Sequence, residues 1–134
     1  MNKLAVKISE IQCSGGVILV DLIAGETQMS ALLIDAIEKP DWLKTGNSLF
    51  VVFKEAEVTL AKGFSGKIST RNKLPCKVLN IEKGQLISLI SLDFYGSIIR
   101  SAITTRAVEH LELQLGDEVT ALIKSNELTL MQKI

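Results

Sequence analysis

Within seven residues, Ser69-Thr70-Arg71-Asn72-Lys73-Leu74-Pro75 gathers two hydroxyls, a guanidinium, a carboxamide and an ammonium. No acid occurs from Val58 to Ile81, whereas Lys62, Lys67, Arg71, Lys73 and Lys77 all carry positive charge. A fork of guanidinium N–H groups beside short hydroxyls suits an oxyanion, because each donor can address a separate oxygen. The plain alternative for such a stretch is a solvated basic linker. Either way it leads into a strand expected to start near Cys76.

Other chemistry is sparse. Cys13 and Cys76 lack CxxC spacing and read as reduced, packed thiols. The single histidine, His110, falls on a polar position of a short predicted helix, so it offers no partner to a nucleophilic thiol. No His/Cys/Asp/Glu cluster has metal-ligand spacing, and neither a P-loop nor a GxGxxG is present; no metal is expected by direct side-chain coordination, and no organic cofactor. Fifteen basic and fifteen acidic residues cancel, which argues against broad nucleic-acid backbone binding. Phe94-Tyr95 is the only adjacent aromatic pair, so base-stacking platforms are lacking as well. No apolar run approaches the roughly 18 residues of a membrane span, and Met1-Asn2-Lys3-Leu4 does not open a signal peptide. A cytoplasmic protein that is not an enzyme and has no membrane partner is the expectation.

The elements that must position the basic stretch come as a repeat. Asn2-Lys3-Leu4 recurs as Asn72-Lys73-Leu74, Gly46 as Gly116, and Glu57-Val58-Thr59-Leu60 as Glu127-Leu128-Thr129-Leu130, always 70 positions apart. Between these blocks the best match is shifted by one, with Ala31 against Ala102. Two tandem copies follow, 1–62 and 72–134, joined by a linker over 63–71 that carries the Ser-x-Arg sequence. In the first copy, strands are expected over Leu4–Ile11, Val17–Ile23, Gln28–Ile34, Ser48–Lys54 and Glu57–Leu60, with a helical turn Ala36–Lys39 capped by Asp35. In the second they are expected over Cys76–Ile81, Leu86–Phe94, Ser97–Ile103, Glu118–Lys124 and Glu127–Met131, with a helix near Thr105–Leu111. Five short strands with a helix between the third and fourth give an all-β fold with short helices: two tandem OB-like five-stranded barrels. Each copy is small for independent stability, so the two should pack on each other or on further chains.

At this level the second copy resembles the Mop domain of the Mop/TOBE molbindin family. The resemblance is carried by Ser69–Pro75, by Ile98–Thr104, and by Leu113-x-Leu115-Gly116-Asp117-Glu118-Val119-Thr120-Ala121-Leu122-Ile123-Lys124-Ser125. That module binds molybdate, and it also occurs in the molybdate-responsive regulator and on ATPases of molybdate importers. A chain of two such domains is similar to the di-domain molbindins, which sequester molybdate or tungstate. The resemblance implies a homo-oligomer, a trimer, with the small oxyanion held between domains.

Carried over residue by residue, the family's anion contacts fall on Ser69, Arg71, Thr104, Lys124 and Ser125. Where relatives often add a serine, this chain has Ala107, and a helix N-terminal N–H is the expected substitute. The first copy departs further: Met1 stands for Arg71, Leu33 for Thr104 and Glu55 for Ser125, and Asp35 puts a carboxylate nearby; Lys54 alone survives. The first copy therefore reads as structural. A second reading is a ligand-sensing or assembly module that partners a molybdate regulator or transporter ATPase, without strong anion binding.

Overall fold

The computed structural model describes residues 1–36 and 38–133. Alternation in the sequence becomes alternation of burial. In β1 (Asn2–Ser14), Leu4, Val6 and Ile8 point inward while Lys3, Ala5 and Lys7 face solvent. Strand β6 (Asn72–Lys83) repeats this with Leu74, Cys76 and Val78 inside. Each is followed by an antiparallel meander, β2 (Val17–Ala24) and β3 (Thr27–Leu33) in the first half, β7 (Ile87–Phe94) and β8 (Ser97–Thr104) in the second. Then come β4 (Ser48–Phe53) and β5 (Thr59–Ala61) in the first half, β9 (Glu118–Ile123) and β10 (Thr129–Gln132) in the second. The result is mostly β, two curled five-stranded sheets.

Sheet membership crosses the repeat boundary. The orders are β10-β4-β1-β2-β3 and β5-β9-β6-β7-β8, so the last strand of each repeat completes the sheet of the other. A tight 3-10 turn precedes each exchanged strand, Glu55–Glu57 before β5 and Ser125–Glu127 before β10. Phe53, Val58 and Leu60 share one buried apolar cluster with Leu74, Ile99 and Ile123. Small repeats that could bury little alone thereby share a core, as their size demands. A salt bridge from Lys62 Nζ to Asp117 (3.0 Å) and a bond to the Glu112 carbonyl (2.8 Å) fasten the end of β5 to the other half.

Four expectations need correction. Strand β6 starts at Asn72, not near Cys76, so half of the basic stretch is ladder. Pro75 is tolerated there because β6 pairs with β7 only from Lys77 onward, leaving no ladder bond for the missing N–H to make on that side. The one-residue shift in β3 does not exist: Ala24 pairs Thr27 as Phe94 pairs Ser97, and Ile18 pairs Leu33 as Ser88 pairs Ile103. Ile34, not Leu33, therefore stands for Thr104, and Ser30 stands for Arg100. The helical turn expected over Ala36–Lys39 includes Ile37 and so lies partly outside the described residues. Its proposed cap, Asp35, has φ 58°, not the extended backbone of an N-cap. Finally, Cys13 is exposed rather than packed; Cys76 is buried, and both thiols are free. The helix α1 (Thr105–Leu111) lies where it was expected, with His110 exposed on it.

Candidate functional site

The basic stretch is organised by Asn72, whose side chain is fully buried. Its carboxamide oxygen accepts from the Ser30 N–H (2.7 Å), and its Nδ2 donates to the Ser30 carbonyl (3.0 Å) and the Ile123 carbonyl (2.9 Å). One side chain thus ties β6 to the edge strand β3 of the other repeat and to the end of β9. Every polar atom of the carboxamide that could be orphaned by burial is engaged, which is what makes the arrangement tolerable in a core.

Around this clamp the structure brings together four of the five expected residues. Asn72 pairs with Ile123, so Arg71 and Lys124 leave the same two strands side by side. Ser125 follows, and its Oγ lies 2.6 Å from Ser30 Oγ. Arg71 folds back on its own segment, with Nη2 donating to the Ile68 carbonyl (2.7 Å) and Nε to the Ser69 carbonyl (3.3 Å). Those bonds fix the guanidinium without neutralising it and leave its Nη1 hydrogens available. Among the described residues no carboxylate forms a salt bridge with Arg71 or Lys124. Arg71 and Lys73 also line an open cleft of about 410 Å³ with Thr27, Gln28, Ser30 and Asp21, the cross-strand partner of Ser30. Two cations, of which Arg71 is held by its own segment, and the neighbouring hydroxyls at a strand end can replace part of an anion's water shell; there is no acid–base pair or nucleophile among them.

Thr104 is not brought to this group. It ends β8 opposite Ile87 and lines a separate cleft of about 520 Å³ with Leu86, Arg106 and Glu109. Its Oγ1 caps α1 by accepting from the Ala107 N–H (3.1 Å). That bond occupies the Ala107 N–H. Next to it Thr105 is buried, with its hydroxyl between Ser88 Oγ and the Gly84 carbonyl, both at 2.8 Å.

A second junction repeats the first with different charges. Asn2 donates to the Arg100 carbonyl (2.8 Å) and accepts from the Arg100 N–H (2.7 Å), as Asn72 does with Ser30. Where Ser125 begins one 3-10 turn, Glu55 begins the other. Its Oε2 lies 3.2 Å from the amino group of Met1. The Glu55 backbone N–H, then that amino group, hold its carboxyl below the ordinary 4.5, with a smaller contribution from Arg100. Sequence reasoning missed the roles of Asn2, Asn72, Ser30 and Arg100. The repeated Asn-Lys-Leu triplet was the available signal, but a buried clamp and a solvated polar residue look alike in one chain.

Exchanged strands, curled five-stranded sheets and paired asparagine clamps define a tandem OB-like protein whose ionic groups gather where the repeats meet. The chain belongs to the TOBE-domain family of Mop, or molbindin, type. The TOBE domain matches residues 68–130. A probable molybdenum-pterin-binding protein of Haemophilus influenzae is 38% identical over 60 residues, covering 44% of this chain and 87% of that protein. The molybdenum import ATP-binding protein ModC of Brucella abortus is 39% identical over 70 residues, 52% of this chain; the chain spans only 20% of the length of that relative. Among solved structures, the cytoplasmic molybdate-binding protein ModG, crystallised with molybdate bound, superposes with a TM-score of 0.90 at 26% identity, over 98% of this chain and 96% of that one.

Proposed function

We propose that the chain is a cytoplasmic, non-enzymatic binding protein for molybdate or tungstate, with its oxyanion seat at the Asn72 junction. The observation that carries this is the convergence of Arg71, Lys124 and Ser125 on one clamped strand end, where the cations have no salt-bridged carboxylate among the described residues. Arg71 and Lys124 supply charge, while Ser69 and Ser125 supply hydroxyl donors. The likeness to ModG, which binds molybdate, supports the same ligand class.

Thr104 lies on another face, so in this reading a second copy delivers it. The assembly is a homo-oligomer, a trimer, with seats between domains. The repeats 1–62 and 72–134, joined by 63–71, exchange their last strands and so enter the assembly together. Exposed Leu86 and Ile87 beside Thr104 suit burial in such a contact. The same exposed pair also favours a second reading, an assembly module that docks on a regulator or transporter ATPase; the match to part of ModC points the same way.

Titrating the purified protein with molybdate, tungstate and sulfate, by heat or by fluorescence of the half-buried Trp42, separates the two. Saturable binding of the first two, with sulfate weaker, is expected. No binding at millimolar oxyanion would move the chain to the second reading.

A further inference from the structure

We infer that the Asn2 junction is a second oxyanion seat kept filled by the chain's own carboxylate, that of Glu55. The inference rests on the oxyanion reading above, because it takes the Asn72 junction as the pattern of an open seat.

Four observations converge on it. The clamps are equivalent: Asn2 holds both backbone groups of Arg100 as Asn72 holds both of Ser30. The elements they join are equivalent too, β8 with the turn Glu55–Glu57 and β3 with the turn Ser125–Glu127. At the Asn72 junction the facing side chains are the hydroxyls of Ser30 and Ser125, in contact at 2.6 Å. At the Asn2 junction the same two positions carry Arg100 and Glu55, and Ser101 Oγ closes β8 onto the turn by donating to the Val58 carbonyl (2.7 Å).

Charge then distinguishes the two. Among the described residues no carboxylate forms a salt bridge with Arg71 or Lys124, nor with Arg100 or Lys54; what the Asn2 junction adds is a carboxylate at the Ser125 position, Glu55, 3.2 Å from the Met1 amino group. Glu57 does not share this role, because its Oε1 accepts from the Lys54 N–H (2.8 Å). A carboxylate in place pairs with the Met1 amino group and repels an incoming dianion; without it, Arg100 and Lys54 present the charge type that Arg71 and Lys124 present. Glu55 is thus an internal occupant, and it limits the open seats to one kind per chain.

The test is Glu55→Ser, which installs the Ser125 counterpart, together with the closer isostere Glu55→Gln, both in the full chain. Equilibrium dialysis against molybdate is expected to show an added equivalent per chain relative to wild type. That gain should disappear in Glu55→Ser/Arg100→Ala and persist in Glu55→Ser/Arg71→Ala. Unchanged stoichiometry in both folded variants overturns the inference while leaving the Arg71 seat intact. A gain over a wild type that binds nothing keeps the inference and overturns the proposed function instead. Loss of folding in both variants also overturns it, by making Glu55 a structural brace.

Discussion

At the Asn72 junction a buried carboxamide with three hydrogen bonds faces two neutral hydroxyls, with Arg71 and Lys124 outside them; at the Asn2 junction a carboxamide with two bonds faces an arginine and a glutamate. The backbone scaffold is the same in both, down to the register of the strands. What differs is the residue that heads the 3-10 turn, a hydroxyl in Ser125 and, in Glu55, a carboxylate paired with the Met1 amino group. Duplication followed by divergence of a few side chains can therefore put a carboxylate into one of two equivalent places while the other keeps its donors.

The widest gap between the junctions should appear in stability. Asn72→Ala strands the Ser30 N–H and two carbonyls in the core, and each buried group left unsatisfied costs about 1–3 kcal/mol. Urea unfolding should show a loss on the order of 3 kcal/mol or more for Asn72→Ala, and a smaller one for Asn2→Ala, which leaves fewer groups unpaired. Equal losses would mean that the clamps are energetically alike.

Cys76, four residues along the same strand, sharpens that comparison. Burial pushes its thiol up to about 12, so alkylation near neutral pH requires β6 to open. Exposed Cys13 should label at once and Cys76 slowly. Asn72→Ala should accelerate Cys76 labelling strongly and Asn2→Ala hardly; equal acceleration would show that opening is global rather than confined to β6.

A smaller effect separates the junctions by pH. The Glu55 carboxyl is held below its ordinary value, first by its own backbone N–H and then by the Met1 amino group. A depressed carboxyl stabilises the fold above its unfolded pKa of about 4.5, and that contribution is lost as pH falls through the lower folded value. Wild type should therefore exceed Glu55→Gln in melting temperature near neutrality, with the difference fading in acid. Asp117, lowered by the Gln114 N–H and then by Lys62, contributes with the same sign in both proteins and should not alter the difference. A gap that stays constant into acid would remove the ionic account of the Asn2 junction.

Much of the strand pattern was legible because period-two alternation in β1, β2, β6 and β7 coincides with burial. The exchange of β5 and β10 was not, since pairing partners of strands only three and four residues long leave no trace in local periodicity. The false shift in β3 arose from aligning Ala31 with Ala102, a coincidence of type; the register aligns it with Ser101, which is equally buried. For the candidate site, charge and spacing pointed to Ser69 and Arg71, the resemblance to the Mop domain added Lys124 and Ser125, and the fold brings the two pairs together. Nothing in the spacing could tell that Thr104 lies on another face, because that depends on which edge of the sheet β8 forms.

The central claim is that the proposed oxyanion seat lies at the Asn72 junction, where no carboxylate among the described residues forms a salt bridge with Arg71 or Lys124. Calorimetric titration of molybdate into wild type, Arg71→Ala and Lys54→Ala tests it most directly. A hydrogen bond to a charged partner is worth about 1.5–3 kcal/mol, so Arg71→Ala should weaken binding roughly ten- to a hundredfold or somewhat more. Lys54→Ala should leave affinity unchanged, because Glu55 stands where Ser125 stands in the other repeat. Equal loss in the two variants, or none in Arg71→Ala, would contradict the account.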